Sequence, residues 1–243
     1  MSGHSKWSQI KHKKAITDAK KGKLFSKLSN QISVAARQKG RDSETNPQLK
    51  MLVEKARSFN MPSENIERAI KKGTGELEGV KMEEMTIEAY GPGGVALIIE
   101  AITDNKNRTI SEIKYLLSQH SGKLAEAGSV NWLFERKGTL IINSKVSGLN
   151  QEELELLVID CGAEDVKWQT PELLEIFTKV EDLGKIKKAL EGKKVGIESS
   201  SLDWVPKNEV QIQDEKTKNA LDKLFEALDE NDDVSEIYSN IKS

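Results

Sequence analysis

Between Lys20 and Arg41, Leu24, Phe25, Leu28, Ile32 and Ala35 recur along one side of a helical wheel. Lys20, Lys23, Lys27, Arg37 and Arg41 fall on roughly the opposite side. The pattern predicts a helix with one face for packing and one for phosphates. A second helix opens at Asn46-Pro47, a capping side chain followed by proline at the first helical position. It carries Leu49, Leu52, Val53 and Ala56. A third runs from near Ser63 to Gly73, with Ile66, Ala69 and Ile70 as its apolar side. Three short amphipathic helices can bury their stripes together as a small bundle.

GTGELEG, residues 73–79, reads as a hinge, and beyond it the period changes. Residues 86–90 alternate, residues 95–102 (VALIIEAI) are almost wholly apolar, and a helix follows with Ile110, Ile113, Leu116 and Leu117 on one face, closed by Gly122. Residues 129–134 read as a further strand, giving β-β-α-β. From Thr139 the order becomes strand, helix (Leu154, Leu157, Val158, Cys161), two strands, helix (Leu183, Ile186, Leu190) and strand, a ferredoxin-like β-α-β-β-α-β. A last β-α-β follows Pro206: residues 210–213, a helix with Leu221, Leu224, Phe225 and Leu228, and residues 234–238. That final unit is too small to hold a core, so the simplest solution pairs it with the β-β-α-β unit. The expected architecture is α+β. A basic helical domain spans residues 1–75, a discontinuous α/β domain joins residues 80–134 to 207–243, and a ferredoxin-like α/β domain is inserted over residues 135–206.

The formal net charge of −2 hides a strong asymmetry. Residues 1–72 hold 17 Lys and Arg against 6 Asp and Glu, whereas the remainder holds 20 against 33. A basic segment of that density is the electrostatic footprint of a polyanion binder, beyond what solvation of helix surfaces needs. No apolar run approaches the length of a membrane helix, no secretory leader is evident, and the single Cys161 leaves no intrachain disulfide. A cytoplasmic protein without membrane attachment, with a monomer favoured, is the expectation.

Chemistry-bearing motifs are sparse. His4 and His12 lie eight apart among lysines, spacing and charge that disfavour a metal, and His120 sits at a helix end. Cys161 falls in register with an apolar face and reads as an unreactive packed thiol. YGPGG (residues 90–94) has strands on both sides and no following G-K-[ST], so it reads as a hairpin turn open to a partner rather than a phosphate cradle. TDNKNR (residues 103–108) supports two readings, helix capping by Asn or phosphate contact by Lys106 and Arg108. No nucleophile with a base and no cofactor fingerprint emerges, so a non-enzymatic binding protein without metal or cofactor is expected.

GHSKWSQIKHKK, residues 3–14, is too polar to pack a core but can order on a polyanion. Its lysines neutralise phosphates and Trp7 can stack on an unpaired base. The bland reading is a frayed tail with Trp7 tucked onto the bundle. The candidate nucleic-acid contacts are Lys6, Trp7, Lys11, His12, Lys13, Lys14, Lys20, Lys21, Lys23, Lys27 and Arg37.

Four blocks in order, GHSKWSQIKHKKAITDAKKGKLFSKL, NMPSENIERAIKKGTG, EAYGPGGVALIIEAITDNKNRT and GSVNWLF, resemble the YebC/PmpR family nearly end to end. LAEAGSV (residues 124–130) departs from the family pattern by lacking a glycine after the leucine. The resemblance implies a helical N-terminal domain, two α/β domains, and a DNA-binding transcriptional regulator. Its alternative implication is a ribosome-associated translation factor that binds ribosomal RNA and eases stalling at proline-rich stretches. Phosphate contacts carry no sequence information and do not separate the two.

Overall fold

A computed structural model of the protein describes residues 18–242. Three helices come first: α1 (Asp18–Lys39), α2 (Pro47–Ser58) and α3 (Ser63–Thr74). Their stripes meet as the sequence pattern requires. Leu28, Ile32, Ala35, Leu49, Val53, Ala56, Ile66 and Ala69 form one buried cluster, with Leu24, Phe25, Leu52 and Ile70 at its edge. Asn46 caps α2 by accepting from the Leu49 N–H, while its amide donates to the carbonyls of Ala35 and Gly40, which ties the start of α2 to the end of α1. Gly73 does not end α3, as the sequence suggested, but lies inside it at a crossing with α1. A Cβ there would sit 2.2 Å from the Ser33 carbonyl oxygen. The helix stops at Gly75, which takes the left-handed conformation at φ 80°.

The first sheet has the order β3-β1-β2-β8, from β1 (Glu83–Tyr90), β2 (Ala96–Thr103), β3 (Lys123–Leu124) and β8 (Val234–Ser239), all neighbours antiparallel. Helices α4 (Lys106–Gln119) and α7 (Glu215–Glu230) cover one face, burying Ile87, Leu97, Ile99, Ile113, Leu117, Leu221 and Leu224. The second sheet, order β5-β6-β4-β7, is built from β4 (Phe134–Asn143), β5 (Asp165–Thr170), β6 (Leu173–Thr178) and β7 (Ile197–Pro206). Helices α5 (Gln151–Asp160) and α6 (Leu183–Gly192) pack on it through Leu154, Val158, Leu183, Ile186 and Leu190. This fully antiparallel order is the ferredoxin-like one. Because β8 pairs with β2, the ferredoxin-like unit is an insertion in the domain built on the first sheet.

Two expected strands are absent. Residues 129–133 form a turn and a 3-10 segment (Asn131–Leu133), because the Glu88 carboxylate takes the backbone N–H groups of Gly128, Val130 and Asn131 at 2.6–2.7 Å. Those donors are no longer available to a ladder, and β3 forms earlier instead. Residues 210–213 contribute a single bridge, Val210 to Ile241. Cys161 is the C-cap of α5, half-buried against the second core rather than fully enclosed.

Candidate nucleic-acid interface

Of the sequence-predicted contacts, Lys6, Trp7, Lys11, His12, Lys13 and Lys14 lie outside the described residues. Lys20 is in the first turn of α1, its side chain likewise outside them. Lys21 is exposed, as is Arg37 in the last turn of the helix.

Lys23 and Lys27 are placed differently from what the wheel suggests. Both reach the C-terminal end of α7, where unsatisfied carbonyls carry partial negative charge. Lys23 donates to the Glu230 carbonyl and pairs with Asp232 at 3.3 Å; Lys27 donates to the Asp229 carbonyl, with the Asp229 carboxylate 3.6 Å away. Lys27 is only 8% exposed. These two cations hold the helical domain to the first α/β domain. Further polar ties run the same way: Lys55 to Glu236 at 2.7 Å, Gln38 to Glu84 at 2.9 Å, and Glu54 to Lys187 of the inserted domain.

What remains outward is a second set of cations, four of which the sequence reading did not single out. Packing of α3 on α1 through Gly73 puts Lys72 beside Arg37, and with Lys81 they line a groove of about 380 Å³. Arg68 and Lys71 are exposed on α3. Arg37, Arg68, Lys71 and Lys72 form no ion pair within 4 Å among the described residues. Lys81 pairs with Glu83 at 3.3 Å and Arg41 with Glu76 at 2.9 Å. The signal that could have found the α3 cations was in the chain: IERAIKK places Arg68, Lys71 and Lys72 off the apolar positions Ile66, Ala69 and Ile70.

The loop of residues 103–108 resolves its two readings by geometry. Asn105 caps α4 by accepting from the Arg108 N–H at 3.1 Å. Arg108 is held by Asp104 and Asp233, at 2.7 and 3.2 Å, and Lys106 by Glu83 at 3.0 Å. Both cations are thus bound within the protein.

At the junction of the two α/β domains, Glu100 accepts from Arg136 at 2.7 Å, Trp204 Nε1 at 2.9 Å and the Tyr238 hydroxyl at 3.3 Å. Burial pushes the Glu100 carboxyl above the usual range against the pull of Arg136 and the Trp204 N–H. The Arg136 guanidinium also lies 5.1 Å from the Trp204 ring centroid. This cluster is spent on holding domains together. Among the described residues no group of three or more His, Cys, Asp or Glu side chains could hold a metal, and no helix is long and apolar enough to cross a membrane.

Comparison with known proteins gives matches along the whole chain. Residues 5–76 match the TACO1/YebC protein N-terminal domain, and residues 82–241 the TACO1/YebC second and third domain. A protein of Halothermothrix orenii named "Probable transcriptional regulatory protein" is 50% identical over 240 residues, 99% of this chain and 94% of the relative. One of the same name from Chlorobium luteolum is 46% identical over 242 residues, 100% of this chain and 96% of the relative. The crystal structure of a conserved hypothetical protein from Aquifex aeolicus superposes with a TM-score of 0.88 at 48% identity, covering 98% of this chain and 96% of that one.

Proposed function

Because the chain belongs to the TACO1/YebC family, we propose that it is a regulatory protein that grips a nucleic-acid backbone through its helical domain. The observation that carries this reading is the outward cation set Arg37, Arg68, Lys71 and Lys72, on a domain whose other lysines are partly spent on domain docking. The polar tail of residues 3–14 extends the same charge. Lysine and arginine that neutralise phosphates release counterions, which drives binding without reading bases. The relatives' name favours DNA and control of transcription.

A second reading, binding of ribosomal RNA as a translation factor, is favoured by the make-up of α3. Four residues separate α2 from α3, a spacing compatible with a helix-turn-helix, in which the N-terminal residues of the second helix read bases. Here that end carries the exposed carboxylates of Glu64 and Glu67, which repel a groove. The cations lie at the other end, suited to backbone contact alone. In-cell crosslinking followed by sequencing of the attached nucleic acid tests both. Enrichment of promoter DNA supports the first, enrichment of ribosomal RNA the second, and recovery at background defeats both.

A further inference from the structure

Beyond the basic helices, the first α/β domain carries an aromatic and cationic cluster in which Trp132 and Lys123 are exposed and Tyr90 is half-buried against the core. Trp132 is 64% exposed, yet its orientation is fixed: its indole N–H donates to the Ser129 carbonyl at 2.9 Å. The same carbonyl receives the Tyr90 hydroxyl at 3.3 Å, so the two rings are pinned to one atom. The turn that holds them is itself nailed down by Glu88 through the three backbone N–H groups of Gly128, Val130 and Asn131. Across the β1–β3 pair, Tyr90 stands opposite Lys123, whose ammonium lies 5.8 Å from the Tyr90 ring centroid. Tyr90 and Lys123 then line a cleft of about 440 Å³ whose other walls are the near-bare backbone of Gly91, Gly93, Gly94, Ser121 and Gly122. That size lies within the range of small-ligand sites.

Apolar rings that large are usually covered, and here one is held in solvent, joined through the Ser129 carbonyl to Tyr90, which faces Lys123 and the glycine-lined cleft. The polar edges of both rings are already satisfied within the protein. A partner therefore meets ring faces and an ammonium group, but neither aromatic N–H nor O–H. A proline-rich peptide, which presents a series of backbone carbonyls in need of donors, finds only the Lys123 ammonium there. A flat base with an adjoining phosphate matches it: the base stacks, and the phosphate meets Lys123.

Resting on the nucleic-acid reading above, we propose that Trp132, Tyr90 and Lys123 form a second contact site that binds an unpaired nucleotide, with its base on Trp132 and its phosphate at Lys123. The site gives the protein a preference for single-stranded or irregular nucleic acid that the basic helices alone lack, since every base has a face to stack but a duplex keeps it hidden.

The test uses the full chain and a thiouridine-substituted single-stranded oligonucleotide, with adducts mapped by mass spectrometry and affinities measured by anisotropy. Adducts at Tyr90 or Trp132 are expected. Trp132→Ala should weaken single-strand binding by about fivefold to 100-fold while leaving duplex binding unchanged, because one stacked base is lost. Trp132→Phe, which keeps a ring but not the bond to Ser129, should restore most of it. Lys123→Gln should reduce the slope of log affinity on log salt by about 1. Adducts confined to residues 18–75, with Trp132→Ala binding like the parent, overturn this site and leave the helical interface standing. Failure to bind either strand form at low salt overturns both. Competition by a proline-rich peptide, but not by unlabelled oligonucleotide, overturns the site in favour of a protein ligand.

Discussion

Lys27 of α1 and Asp229 at the end of α7 are 202 residues apart in sequence, yet the Lys27 ammonium reaches both the carbonyl and the carboxylate of Asp229. A lysine on the polar side of a basic helix is thereby a buried peg. Its burial is tolerable because the Asp229 carbonyl, at a helix C-terminus, accepts from it and the Asp229 carboxylate lies close by. Lys23, one turn earlier, makes the more exposed version of the same contact.

The docking of the helical domain therefore draws on charged contacts. Lys27→Ala is expected to cost about 1–3 kcal/mol and to loosen the helical domain without unfolding it. Limited proteolysis near residues 75–82 should become faster, and faster again in high salt, as screening weakens the remaining exposed pair of Lys23 and Asp232. Unchanged cleavage kinetics would show that other contacts hold the domain.

Gly73→Ala tests the crossing of α1 and α3. The added methyl would meet the Ser33 carbonyl at 2.2 Å, so the helices must separate or bend. Since the clash is with backbone, a loss of about 2–4 kcal/mol is expected in chemical denaturation, with the groove between Arg37 and Lys72 distorted as well.

Glu100→Ala tests the joint between the α/β domains. It strips an acceptor from Arg136, Trp204 and Tyr238 at once and leaves a largely buried guanidinium unpaired. A destabilisation of about 3–5 kcal/mol is expected, read as a lowered melting temperature. An unchanged melting midpoint would contradict a structural role for the cluster.

Glu88 gives a pH signature. Burial pushes its carboxyl up, but the N–H groups of Gly128, Val130 and Asn131 outweigh that and hold it below the usual range. A depressed folded value means the stabilisation is complete above the ordinary carboxylate pKa of about 4.3 and is lost as pH falls through the folded value. The protection factors of those three amides, taken against intrinsic exchange at each pH, should stay high near neutrality and fall in acid. In Glu88→Gln, protection should be lower at neutral pH and flat across the same range.

Much of the fold was legible because its signals are local. Helical spacing located Leu28, Ile32 and Ala35 in the core, Asn46-Pro47 marked a helix start, and the order of strands and helices from Thr139 onward identified the ferredoxin-like insertion. What escaped was decided by partners far along the chain. Residues 129–134 read as a strand, but Glu88 captured the amides of Gly128, Val130 and Asn131. The wheel of α1 identified the face toward its own bundle and had no means of seeing α7, which takes Lys23 and Lys27. Arg68, Lys71 and Lys72 give a weaker charge signal than the denser lysines up to Lys27, although their placement off the apolar stripe is present in the sequence.

The salt dependence of nucleic-acid binding, measured by anisotropy for the full chain and for a variant with Arg37, Lys71 and Lys72 replaced by glutamine, tests the central claim most directly. If about six phosphates are neutralised, log affinity for duplex DNA falls with log salt at a slope near −5, and the triple variant flattens it by about 3. A slope near zero, or identical slopes for the two proteins, would contradict a phosphate-gripping face on the helical domain.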